Sequence, residues 1–159
     1  MRDRLRPLLV LGLWLPLGGW LGALVLFAGV VAPAAFRVLP SRELAGDLVG
    51  RILPALHGYG IAAGLWLAIL GGALRRGRLA ILIPCVLAGF CALSQLVLVP
   101  RIEALRPEVR SLTASPELRA RFVRLHGASV ALYGATALGA SLLALLHARK
   151  DAKKIRAIP

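Results

Sequence analysis

Long uncharged runs alternate with short arginine-rich connections along this chain. Four stretches carry no Asp, Glu, Lys or Arg: Pro7 to Phe36, Ile52 to Leu74, Leu79 to Pro100 and Leu125 to Ala148. The shortest holds 22 residues, and a helix rising ~1.5 Å per residue needs only about 20 to cross a ~30 Å hydrocarbon layer. Lipid offers the backbone no water, so each run is expected to satisfy its own hydrogen bonds as a helix. The expected fold class is all-α: a polytopic membrane protein forming one four-transmembrane-helix bundle. The spans are predicted at about residues 8–32, 52–74, 79–100 and 122–148, with a basic tail over 150–159.

Punctuation residues refine these elements. Pro33 disfavours helical geometry in the residue before it, which predicts that span one ends at Ala32. Pro16 and Pro84 predict kinks within spans one and three. Ser41 is placed as the N-cap of a short amphipathic helix between spans one and two, with Leu44 and Leu48 on one face. In the longest connection, Ile102, Leu105, Val109 and Leu112 recur at helical spacing, which predicts a segment lying in the membrane interface. Ser115 followed by Pro116 and Glu117 reads as the start of an extended fourth helix reaching about Arg149.

Composition narrows the class. A chain of 159 residues with 58% hydrophobic content and mean hydropathy +0.78 leaves little sequence for a soluble domain. The net charge of +13 is spread over every connection and both termini. It fits the basic flanks that insertion selects, and no nucleic-acid partner is expected. Eleven Lys and Arg residues fall on the side of the termini and the Arg75–Arg78 turn, against nine on the other. With the compact turn weighted, both termini are expected in the cytoplasm and the protein in the inner membrane. The first apolar run is too long for a signal-peptide core, so an uncleaved span is expected. Cys85 and Cys91 sit six residues apart on one helix and are not expected to bond each other.

Two ridges of small residues stand out: Gly60, Gly64, Ala68 and Gly72 on span two, and Gly127, Ala131, Ala135 and Gly139 on span four. Close backbone approach over small residues is a main source of helix packing in lipid, which predicts that these two ridges meet. In an up-and-down bundle, the ends of spans one and three share a side with the starts of spans two and four. That side gathers Arg37, His57, Gln95, Arg101, His126, Ser129 and Tyr133 into a candidate polar pocket. His126, Ser129 and Tyr133 share one helical stripe, and His57 shares a stripe with Gly60 and Gly64. Polar residues at membrane depth usually face a bundle interior or a cavity. If the ridges met, His57 and His126 would approach each other, and two imidazoles can ligate haem iron or copper or relay protons. The plainer readings are hydration of His126 at the headgroups, an interhelical hydrogen bond for His57 and for Gln95, and an interfacial place for His147.

The segments Gly19-Trp20-Leu21-Gly22, Val31-Ala32-Pro33-Ala34-Ala35-Phe36-Arg37, Leu44-Ala45-Gly46, Gly50-Arg51-Ile52-Leu53-Pro54 and Phe122 with Leu125-His126-Gly127-Ala128-Ser129 together resemble the transmembrane-protein-205-like family. The resemblance implies four transmembrane helices without an established biochemical activity. It marks Pro33, Phe36, Gly46, Arg51, Pro54, His126 and Ser129 as family-pattern positions; Tyr133 stands where Asn is expected, and Leu53 where Phe is common. More weakly, the layout is similar to copper-resistance D-type membrane proteins and to the four-helix membrane protoporphyrinogen oxidase, which implies haem or copper by analogy.

The expectation is a non-enzymatic binding or accessory protein of the membrane, with no catalytic residues and no cofactor. The lipid bilayer is its surroundings, and a homo-oligomer or membrane partner its candidate associate. The alternatives are a haem- or copper-handling redox protein using His57 and His126, and a small oligomeric transporter.

Overall fold

The computed structural model describes the backbone of residues 2–111 and 113–155 and the side chains of residues 5–111 and 113–152. Leu112 and the basic tail beyond Ile155 lie outside the described residues. Four helices are long and apolar enough to cross a membrane: α1 (Leu5–Val38), α2 (Arg42–Ala73), α3 (Leu79–Arg110) and α4 (Pro116–Ala152). Among the described residues there is no strand. The protein is therefore a multi-pass, all-helical membrane protein. At ~1.5 Å per residue, helices of 32 to 37 residues outrun a ~30 Å hydrocarbon layer, so their charged ends project beyond it.

Pro33, expected to end a helix, is instead absorbed, and Pro100 is absorbed in the same way. Pro lacks an N–H and its ring collides with the carbonyl four residues back. In α1 the chain widens into a π-turn over Phe27–Val31, closed by the Ala32 N–H donating to the Phe27 carbonyl. In α3 the same device covers Ser94–Leu98, closed by the Val99 N–H donating to the Ser94 carbonyl. Each π-turn ends two residues before its proline, Pro33 or Pro100. The extra residue shifts the hydrogen-bond register so that the helix continues. Span one therefore runs on to Val38 instead of stopping at Ala32. Pro16 and Pro84 also lie within helix that continues on both sides.

Ser41 caps α2, its Oγ accepting from the Leu44 N–H at 3.2 Å. The helix it starts is not a separate amphipathic piece: it runs unbroken through Gly50 and Pro54 to Ala73. Ser115 likewise accepts from the Leu118 N–H at 3.2 Å and starts α4, whose backbone extends to Ile155. The stretch after Pro100 does not form an element of its own. It prolongs α3 to Arg110 and packs against α4, with Ile102 and Leu105 buried.

The helices form a ring in chain order, each packed on its sequence neighbours, with α1 and α4 closing the ring. This corrects the predicted pairing of the two small-residue ridges. The close packing of α2 is with α3 and α1, and α4 lies across the diagonal. A tight reversal between Ala73 and Leu79, with positive φ at Arg75 (51°) and Gly77 (86°), folds α3 directly back onto α2. At Gly64 a Cβ would come within 2.7 Å of the Pro84 carbonyl oxygen, and at Gly71 it would collide with the Ala80 carbonyl oxygen. Gly60 faces Cys91 of α3 and Trp20 of α1. On α4, nothing lies near Gly127, Ala131 and Ala135 are exposed, and Gly139 meets Leu87 of α3. Small residues permit close approach, but the short turn decides which helix approaches.

Leu13, Leu17, Trp20, Leu67, Leu87 and Leu143 form the centre of the core. Leu8, Leu15, Val25, Ile69, Leu82 and Leu138 are all more than half exposed. Around a membrane bundle such a belt is lipid-facing, since the solvent is as apolar as the core.

Candidate functional site

The two ends of the ring differ. At the end away from the termini, Tyr133 of α4 donates its hydroxyl to the Leu24 carbonyl of α1 at 2.6 Å. Its ring lies 5.8 Å from that of Phe27, the first residue of the α1 π-turn. This pair forms a floor. Close packing between α1 and α4 is confined to the part of α1 before the π-turn, and beyond it the two helices part. The space between them is a cleft of about 560 Å³, lined by all four helices. Its walls are largely apolar: Phe27, Ala28 and Phe36 from α1, Val49 and Leu53 from α2, Val99 and Ile102 from α3, Phe122 and Val130 from α4. Ala28, Phe36 and Val130 are exposed, so the mouth opens sideways between α1 and α4.

Charge is confined to the outer rim, at Arg42, Glu43, Glu103, Arg106 and Arg110. One carboxylate oxygen of Asp47, Oδ1, accepts from Arg106 Nη1 and Arg110 Nη2, each at 2.6 Å. Arg106 also pairs with Glu103 at 2.7 Å. Gly50 makes this arrangement fit, because a Cβ there would stand 3.1 Å from Arg106 Nη2 and 3.2 Å from Glu103 Oε1. Asp47 precedes the uncharged run that begins at Ile52, outside the membrane-crossing part of α2. The hydrogen bonds from Arg110 and Arg106 hold its carboxyl below the usual carboxylate range.

The seven residues expected to share a polar pocket separate into three groups. His126, Ser129 and Tyr133 line the cleft, with His126 exposed at its mouth and stacked on Phe122 at 6.1 Å. His57 and Gln95 lie outside the cleft lining and meet each other between α2 and α3, Nδ1 to Oε1 at 3.3 Å. Arg37 and Arg101 are exposed and do not line it. His57 and His126 therefore have separate partners, on helices that do not pack closely; the expected approach rested on ridge pairing that the fold does not make. Among the described residues, no cluster of three or more His, Cys, Asp or Glu side chains is placed to hold a metal ion. Sequence reasoning missed Phe27, Asp47 and Arg106. The spacing Gly46-Asp47-Gly50 on one helix and Glu103-Arg106-Arg110 on another is the signal that could have found the last two.

The end that carries the termini is closed. Arg76, 5% exposed, pairs with Asp151 at 2.7 Å and donates to the His147 carbonyl at 3.1 Å. Trp14 Nε1 donates to the other oxygen of Asp151 at 3.1 Å, and its ring meets His147 edge-on at 6.4 Å. His147, expected at the interface beside the basic tail, is instead fully buried. Trp14 covers it from α1, and Arg76 reaches over from the α2–α3 turn.

A ring of four spanning helices, closed at one end and split by a side-opening cleft at the other, defines a polytopic α-helical membrane protein. Within that class, the chain belongs to the family described as a domain of unknown function, DUF4149, which matches residues 15–111. The match takes in α2, α3 and most of α1, including both π-turns and the Asp47–Arg106 pair. No curated protein and no solved structure matches the chain.

Proposed function

We propose that this is a non-enzymatic binding or accessory protein of the inner membrane, with both termini in the cytoplasm, and that its cleft holds an amphiphilic ligand taken from the bilayer. The observation that carries this reading is the cleft itself. Its volume falls within the ~300–1,000 Å³ of ordinary ligand sites. Its walls are apolar, its charges lie only at the outer rim, and its mouth faces where lipid must be. Both helices interrupted by π-turns contribute walls at that level, and π-turns recur at functional sites.

The resemblance to the transmembrane-protein-205-like family fits the same place, since Phe36, Gly46, His126 and Ser129 of its pattern all line the cleft. The orientation rests on the excess of Lys and Arg on the side of the termini.

The test is co-purification. Protein purified in mild detergent is expected to retain an amphiphile at a stoichiometry near one, detected by mass spectrometry of organic extracts. Ala28→Trp, which fills the mouth from an exposed position, is expected to remove it. Equal retention by wild type and by Ala28→Trp would show that the cleft is not the binding site.

A further inference from the structure

We propose that the occupant is a single phospholipid with a zwitterionic headgroup carrying a primary ammonium, one acyl chain lying between α1 and α4 and the headgroup lying across the rim. This rests on the reading of the cleft as a ligand site and adds the chemistry of the ligand.

Depth supports a lipid chain. From Phe27 at the floor to Phe36 at the lip is nine residues of helix, about 14 Å at ~1.5 Å per residue. That is close to half of a ~30 Å hydrocarbon layer, the thickness of one leaflet. The sideways mouth lets a chain enter from the leaflet without leaving lipid.

The rim supports the headgroup. Its ion pairs join two cations, Arg106 and Arg110, to two anions, Asp47 and Glu103. Among the described residues Arg42 and Glu43 form no ion pair, whereas Arg106 is held by both Asp47 and Glu103. A rim of balanced charge gives a net anionic head little advantage. A head that bears both signs can place its phosphate at Arg42 and its ammonium at Glu43. A primary ammonium donates hydrogen bonds to a carboxylate, while a quaternary one has no N–H to donate.

Native mass spectrometry of the full chain in detergent, titrated separately with phosphatidylethanolamine, phosphatidylcholine and phosphatidylglycerol, decides the matter. One phosphatidylethanolamine is expected to be retained about tenfold more strongly than either other lipid, the effect of one charge-assisted hydrogen bond worth about 1.4 kcal/mol. Arg42→Gln with Glu43→Gln is expected to erase that preference while lipid is still retained. Val130→Trp, on the exposed opposite lip, is expected to abolish retention of all three.

Equal retention of the three lipids, or preference for phosphatidylglycerol, with Val130→Trp still blocking, would overturn the headgroup assignment and leave the cleft reading standing. Retention unaffected by Val130→Trp would overturn both. A lipid-free dimer whose formation Val130→Trp prevents would assign the cleft to a second copy of the chain and overturn the proposal.

Discussion

The α2–α3 seam and the α1–α4 seam close the same ring by opposite means. Along α2–α3, Gly60, Gly64 and Gly71 bring one helix against the backbone and small side chains of the other, with no room for a methyl group at Gly64 or Gly71. Along α1–α4, packing ends at the Tyr133–Leu24 hydrogen bond, and the helices then separate into the cleft. The difference follows from connection length. A tight turn holds the end of α2 against the start of α3, whereas α1 and α4 have no direct connection and are joined by side chains alone. A cleft is therefore most easily built at the ring's last closure, where two apolar faces can part without unpacking the rest.

The most severe way to break this contrast is to widen the tight seam. Gly64→Leu forces an isobutyl group against the Pro84 carbonyl and Ala88, where even a Cβ would come within 2.9 Å of the Ala88 methyl. The expected cost is about 3 kcal/mol or more, seen as loss of monodisperse protein in detergent. Ala135→Leu, the corresponding change on the exposed ridge of α4, is expected to stay within about 0.5 kcal/mol. Equal sensitivity at the two positions would restore the α2–α4 pairing that the sequence suggests.

At its closed end, the α1–α4 seam depends on Asp151, which joins Trp14 of α1 to Arg76 of the α2–α3 turn. Asp151→Asn leaves the buried Arg76 guanidinium without its counter-charge. Because Asp151 is itself 27% exposed, water can partly compensate. A cost of about 2 kcal/mol is expected, below the 3–5 kcal/mol typical of fully buried pairs. Thermal unfolding in detergent measures it, and Asp3→Asn, an acidic change elsewhere on the same side by sequence, serves as the comparison. An unchanged unfolding temperature in Asp151→Asn would mean that the termini end is closed by apolar packing alone.

The four spans were legible because membrane crossing is set by length and charge exclusion, both of which are local. The caps at Ser41 and Ser115 were legible for the same reason, being a matter of three or four residues. The partner of each ridge was not, because Gly64 and Ala135 carry the same small-residue signal and only the fold decides which is covered. Pro33 was misread because a proline rule knows nothing of a π-turn that begins six residues upstream. The candidate site was legible only on α4, where His126, Ser129 and Tyr133 share a stripe. Its far wall at Phe27 is an ordinary apolar residue, and its rim pair joins Asp47 to Arg106 across 59 positions. His147 was misplaced because what buries it, Trp14, is on another helix.

The smallest effect belongs to the open end, where the rim pairs are solvent-facing and surface ion pairs contribute little. Asp47 nevertheless gives it a direction. Its carboxyl titrates lower in the fold than the ~3.9 of a free aspartate, because Arg110 and Arg106 both donate to Oδ1. A depressed folded pKa adds stability that is present above pH ~3.9 and disappears as pH falls through the folded value. The α2–α3 rim should therefore loosen on acidification below about pH 4, while residues 60–71 of the glycine seam, none of which carries a titrating side chain, should not. Hydrogen exchange of residues 42–50 and 99–110, compared between pH 5 and pH 3 after correction for intrinsic rates, is expected to show loss of protection there and none over 60–71. Asp47→Asn should start from the weaker level at pH 5 and lose this component of the pH response. If the variant keeps the full acid response, the rim is held by Arg106 with Glu103, and Asp47 is only a bystander at the mouth of the cleft.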